Sequence, residues 1–171
     1  SYIKKHMDVD VKLIDFNVEL NIVTEFRFKD FYDYCADFLG SMDLKPDIVS
    51  VSSLFSPSFA NFLDCGRAAK AVWPGAVILG GGNIPTNNSK YIYGAMDCDY
   101  FDALCYGEGE KAMLDCLNST NMKEYFEGSS SWFTKMKLTE NPTFNPQHDF
   151  INDLDEIPFY DYDLCDIMRH G

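Results

Sequence analysis

The chain is short of the groups that usually betray catalytic chemistry. Its 171 residues hold 3 histidines, His6, His148 and His170, in terminal or loop-like positions. None has an acid–base partner at a supporting spacing, so each reads as a solvated surface residue. There is no G-x-S-x-G nucleophile elbow, no P-loop ending in Lys-Ser/Thr and no G-x-G-x-x-G dinucleotide fingerprint. These gaps weigh against a hydrolase, a nucleotide-hydrolysing enzyme or a dehydrogenase acting alone. The 6 cysteines, Cys35, Cys65, Cys98, Cys105, Cys116 and Cys165, form no C-x-x-C pair. A zinc site or a disulfide framework is therefore not expected, and ordinary buried or half-buried thiols are.

Positive charge is also scarce. With 14 Lys and Arg against 27 Asp and Glu, the formal net charge is -13. Such a surface repels a nucleic-acid backbone, and any phosphate would need local backbone donors. No apolar run approaches the roughly 18 to 20 residues that span a bilayer. The first residues, Ser-Tyr-Ile-Lys-Lys-His, lack the basic start and apolar block of a signal peptide, so a cytoplasmic protein is the expectation.

What is present is an alternation of apolar strand-like runs with helical spacings. Residues 1–7 read as the end of a helix, and residues 9–17 as a strand carrying Val11, Leu13, Ile14 and Phe16. Residues 30–39 place Phe31, Tyr34, Cys35, Phe38 and Leu39 on one helical stripe that Gly40 ends. Strands are predicted over 48–54, 76–79 and 100–106. Helices follow from Ser56-Pro57 to Trp73, around Tyr91, Ile92 and Ala95, and over 111–117. Residues 83–89 look polar and turn-rich, residues 97–99 a polar break, 129–137 an edge strand and 139–148 a loop. Strands that are apolar almost throughout point to a parallel sheet covered on both faces. At this length one domain is expected, over residues 1–148, with 149–171 an acidic, aromatic tail or linker. In that tail Asp161 and Asp163 share one side and suit solubility more than cation binding.

Two glycine turns lie at strand ends, Gly80-Gly81-Gly82 and Gly107-Glu108-Gly109-Glu110. The first offers a surface without side chains to a flat or tail-shaped ligand, and the second offers backbone N–H groups at a helix start. Either motif taken singly also serves as a plain turn, the glutamates then complementing the helix dipole. Ser50, Ser52, Ser53 and Ser56 add hydroxyls beside Leu54 at the neighbouring strand end, where they meet a ligand or cap the next helix.

In their order these pieces resemble the cobalamin-binding domain of cobalamin-dependent radical S-adenosylmethionine proteins. The matching segments are Val-Lys-Leu-Ile-Asp-Phe-Asn at 11–17, Pro-Asp-Ile-Val-Ser-Val-Ser at 46–52, Val-Ile-Leu-Gly-Gly-Gly at 77–82 and Phe-Asp-Ala-Leu-Cys-Tyr-Gly-Glu-Gly-Glu at 101–110. Leu-Asp-Glu-Ile-Pro at 154–158 and Tyr-Asp-Tyr-Asp at 160–163 complete the series. The resemblance implies a flavodoxin-like, Rossmann-like three-layer α/β/α fold with strand order 2-1-3-4-5, its first strand absent before Ser1. It implies a cobalamin site lined by Ser50, Ser52, Ser53, Leu54, Gly80, Gly81, Gly82, Gly107, Glu108, Gly109 and Glu110. It also implies a linker from Leu154 to Asp163 toward a C-terminal radical SAM barrel, which would carry the iron–sulfur cluster and S-adenosylmethionine. The cysteine spacings supply no C-x-x-x-C-x-x-C for that cluster, and no D-x-H-x-x-G offers a histidine to cobalt. A binding module without catalysis of its own is thus expected, from a parent that transfers methyl groups or performs a related radical reaction. The alternatives are a degenerate relative kept as an interaction domain and, third, a small flavodoxin-like enzyme or nucleotide binder acting alone.

Overall fold

The computed structural model describes residues 1–96 and 98–164. Asp97, in the expected polar break, and residues 165–171, with Cys165 and His170, lie outside the described residues, as does the side chain of Asp163. Two compact units divide the chain, Phe28–Phe150 and Ser1–Arg27 with Ile151–Gly171. The expected division at 148/149 concerns function and is taken up below as a proposal.

In the larger unit Ile48-Val-Ser-Val-Ser forms β1 (Ile48–Ser52), and β2 (Val77–Gly81), β3 (Ala103–Cys105) and β4 (Trp132–Phe133) complete a sheet in the order β1-β2-β3-β4. The first three strands are parallel, with Ser50 opposite Leu79, Ser52 opposite Gly81 and Leu79 opposite Ala103. β4 is an antiparallel edge, Leu104 opposite Phe133. The mainly parallel α/β class read from the sequence holds. The two strands that the implied order sets beyond β1 are not in this sheet.

The helices of this unit are α3 (Phe31–Gly40), α4 (Phe59–Val72), α5 (Asn83–Gly94), α6 (Glu110–Asn118), α7 (Met122–Gly128) and α8 (Lys135–Glu140). Side-chain periodicity assigns them to two faces, because neighbours along a strand point oppositely. Leu79, Ala103 and Cys105 pack with Ala112 and Cys116 of α6 and Phe126 of α7. Gly80, one residue on, faces Phe62 of α4 on the other side. There Phe62 stacks on Phe101 at 4.8 Å, and the Tyr93 hydroxyl of α5 donates to the Phe101 carbonyl at 3.1 Å. Asp102 ties β3 to β2, its carboxylate accepting the Ile78 N–H at 2.7 Å while pairing with Lys70 at 3.0 Å.

Three sequence expectations are corrected. Residues 83–89 are helical, not a turn-rich stretch, because their polar side chains bond back to carbonyls four residues earlier instead of competing with the helix. Asn87 reaches Asn83 O at 2.8 Å and Asn88 reaches Ile84 O at 2.9 Å, and Ser89 bonds Pro85 O. The edge strand expected over 129–137 is only Trp132–Phe133, since the Thr134 hydroxyl accepts the Lys137 N–H at 3.0 Å and starts α8. That helix buries Lys137, whose ammonium donates to the carbonyls of Phe126 and Ser129 at 2.6 Å and of Trp132 at 2.8 Å. Desolvation holds this lysine below its ordinary pKa.

The third correction falls in the smaller unit. Residues 8–15 have no regular structure where a strand over 9–17 is expected, and α2 occupies Phe16–Asn21. A strand needs a ladder partner, and the sheet includes none for these residues. Asp15 instead caps α2 by accepting the Asn17 N–H at 2.9 Å. α1 (Tyr2–His6) holds the tail: Lys5 donates to Glu156 O at 2.8 Å, Lys4 pairs with Asp161, and the Asp161 N–H donates to the Ser1 hydroxyl at 2.8 Å.

Close packing of α4 on the sheet requires two glycines. A Cβ on Gly66 would lie 2.7 Å from Phe101 Cε1, and one on Gly80 would lie 2.8 Å from Phe62 Cζ. Gly66→Ala and Gly80→Ala are each expected to cost about 1–3 kcal/mol of stability through overpacking. Urea denaturation checks this, and midpoints equal to that of the unchanged protein would contradict it.

Candidate functional site

In a parallel sheet the strand C-termini and the following helix N-termini share one edge, which is where open α/β folds take ligands. Here that edge is built from the ends of β1, β2 and β3 and the starts of α4, α5 and α6. α5 and α6 begin at Gly82 and Gly109 without a capping side chain, so no side chain takes their first-turn amides.

Hydrogen bonds lock the three strand ends together. The Ser53 N–H donates to Gly81 O at 3.1 Å, and the Ile84 N–H donates to Ser53 O at 3.1 Å. The Thr86 hydroxyl donates to Gly82 O at 2.9 Å and accepts the Gly107 N–H at 3.0 Å, joining both glycine turns through one side chain. Ser53 is buried and its hydroxyl is used locally. Ser58 gives its only proton to Phe55 O at 2.7 Å, so Ser53 must donate in the 2.7 Å Ser53–Ser58 contact.

The sequence-predicted residues separate into roles. Ser50 and Ser52 are exposed. They project to the α6–α7 side of the sheet, directly across from Leu79 and Gly81. In a class of sheet normally covered on both faces, this corner is a shelf open to solvent. A Cβ added to Gly81 would meet nothing within 4 Å. Gly82 is different: its φ is 91°, and a Cβ there would sit 2.6 Å from Ser53 O. Only glycine makes this turn without strain. Gly80 is apart from the shelf, spent on core packing. Leu54 is 58% exposed beside the shelf, with Asn83 Nδ2 donating to its carbonyl at 3.5 Å.

Gly107 adopts φ 78°, Glu108 and Gly109 are exposed, and Glu110 opens α6. Over Gly107 lies His148, whose Cε1 is 2.6 Å from where a Cβ would stand. The ring stacks on Phe150 at 4.6 Å and lies 4.3 Å from Tyr106. Gln147 holds this segment through its N–H to Ser130 O at 3.0 Å. Below the turn, burial and the nearby Glu110 charge push the Cys105 thiol up to about 12, which leaves it neutral at pH 7 and a poor nucleophile or metal ligand. No cluster of three or more His, Cys, Asp or Glu suited to a metal occurs among the described residues. A cleft of about 530 Å³ lined by Asp115, Tyr125, Ser130, Gln147, His148 and Asp149 includes none of the predicted site residues.

Thr86 and His148 are the residues that sequence reasoning missed. Thr86 sits one helical turn after Gly82, which is a readable signal, whereas nothing local marks His148 as the neighbour of a glycine far upstream.

Residues 2–117 match the family model described as B12 binding domain. No curated protein and no solved structure matches the chain. Among the described residues no helix is long and apolar enough to cross a membrane.

Because Thr86 bridges two turns, Thr86→Val leaves the Gly107 N–H without its partner and the Gly82 carbonyl with only the Thr86 N–H at 3.3 Å. A loss of about 1–3 kcal/mol is expected, with faster amide exchange at Gly107. Unchanged exchange at Gly107 would contradict the bridge.

Proposed function

This chain belongs to the B12 binding domain family, and we propose that it is a cobalamin-binding module holding the corrinoid across the C-terminal edge of β1, β2 and β3. One observation carries the reading: the open shelf where exposed Ser50 and Ser52 flank Gly81, above which an added Cβ would meet nothing. The residues fit such a group, since a large planar ligand with an extended tail needs a face free of side chains together with small hydrogen-bonding groups. Ser50 and Ser52 offer hydroxyls to polar atoms of the ligand, and Gly81 and Gly82 let it approach the backbone. The uncapped start of α6 supplies N–H donors, as a chain of net charge -13 requires of any anionic group it binds. When bound, the cobalamin supplies a cobalt centre for one-carbon or radical chemistry. Cys105, held neutral, is not suited to ligate it.

We further propose that the module serves a cytoplasmic radical S-adenosylmethionine enzyme, a methyltransferase or a related radical enzyme, and has no catalysis of its own. The iron–sulfur cluster and S-adenosylmethionine would belong to a C-terminal barrel, with residues 149–171 as the linker to it. Support comes from the order of the matching segments and from the tail itself. Leu154, Phe159, Tyr160 and Tyr162 are exposed, Phe159 by 96%, on a segment that Lys4 and Lys5 hold in place. Such a row of apolar side chains suits a docking partner.

One observation favours a second reading, an interaction domain that no longer binds the cofactor. His148 covers Gly107, and the Gly107 N–H is already given to Thr86.

Reconstitution of the intact protein with hydroxocobalamin separates the two. The corrinoid absorption band is expected to co-elute with the protein on gel filtration. Gly81→Leu, whose Cβ would meet nothing within 4 Å, is expected to keep the circular dichroism spectrum and weaken retention by at least about tenfold, about 1.4 kcal/mol. A folded protein that retains no corrinoid would overturn the binding reading in favour of the second.

A further inference from the structure

α3 and α4 pack side by side, and Cys35 of α3 and Cys65 of α4 stand with their sulfurs 3.9 Å apart. Both thiols are free, Cys35 fully buried and Cys65 half-buried. The helices are also joined by Arg67, whose guanidinium lies 4.0 Å over the Tyr32 ring. Neither cysteine belongs to the edge described above. We infer that Cys35 and Cys65 form an oxidisable dithiol site that reacts with a small soluble disulfide, of the glutathione disulfide class, and closes into an intramolecular disulfide between α3 and α4.

Geometry favours closure. A disulfide needs its sulfurs about 2.05 Å apart, so each must move by about 1 Å, within reach of side-chain rotation while the helices stay in register. Access is one-sided, because Cys65 is the thiol that solvent reaches. Its thiolate attacks one sulfur of the oxidant, forming a mixed disulfide and releasing one thiolate. The Cys35 thiolate then attacks the Cys65 sulfur, forming the internal bond and releasing the second. The two protons lost by the protein go to the two released thiolates, so one disulfide is reduced as one is formed. In the resting state Cys35 donates its S–H to the Cys65 sulfur. That hydrogen bond and burial keep its pKa well above the ordinary thiol value, so Cys35 acts second.

The other described cysteines lack this arrangement. Burial pushes Cys105 up to about 12 and Cys116 up to about 11, and Cys98 accepts a hydrogen bond from the Tyr100 hydroxyl.

The test is treatment of the folded protein with glutathione disulfide, then alkylation, digestion and mass mapping. One cross-linked peptide joining Cys35 to Cys65 is expected, with loss of those two free thiols and alkylation of the remaining cysteines. The melting temperature should rise and return after reduction, and Cys65→Ser should abolish both changes. Lasting glutathionylation of Cys65 without closure, a cross-link between other cysteines, or no thiol loss would each overturn the proposal. The mapping uses the unaltered protein and does not depend on how the variant folds.

Discussion

The ends of β1, β2 and β3 are tied by a chain of hydrogen bonds that passes from Gly81 to Ser53, from Ser53 to Ile84, and through the Thr86 hydroxyl from Gly82 to Gly107. Each link uses a polar group that would otherwise stand unpaired at a strand end, where ladder bonding stops and helix bonding has not begun. The consequence is a stiff edge on which Ser52 and Gly81 keep a fixed position side by side. A large cofactor gains most from such an edge, because little conformational entropy remains to be lost on binding.

Packing beneath the edge explains why glycine recurs with different meanings. Gly66 and Gly80 bring α4 onto the sheet, Gly82 and Gly107 carry positive φ, and Gly81 alone leaves open space on the shelf. Three consecutive glycines thus serve the core, the open shelf and the turn in succession. Alternation along the strand separates the first two, and the departure of the chain into α5 demands the third.

Much of this was legible in the sequence, and the failures share physical causes. β1, β2 and β3 were readable as short β-branched or apolar runs bounded by turn signals, and α3 because its stripe is regular over 10 residues. The strand expected at 9–17 failed because pairing, which no local pattern encodes, decides whether a strand exists; Asp15 found a helix amide instead. Residues 83–89 misled because asparagine and serine favour turns unless their side chains reach back along a helix, as Asn87 and Asn88 do. The register sets Ser52 beside Gly81, with Ser50 two residues before Ser52 on the same face and Gly82 next along the chain, and Gly80 differs only by the face its register gives it. His148 could not be foreseen, since its place over Gly107 rests on a segment that Gln147 ties to Ser130, far from Gly107 in the sequence.

The acidic surface and the neutral shelf bear on the same question from opposite sides. A site that relied on charge would be at odds with a net charge of -13, whereas hydroxyls, backbone amides and an open glycine face recognise a large amide-bearing ligand through contact area and directed hydrogen bonds. The most direct measurement is an amide nuclear magnetic resonance titration of the labelled protein with hydroxocobalamin. Shifts are predicted at Ser50, Ser52, Gly81, Gly82 and Glu108 through Glu110. Shifts confined to the cleft residues Asp115, Ser130 and Gln147, or none at any cofactor concentration, would contradict a cobalamin site on this edge.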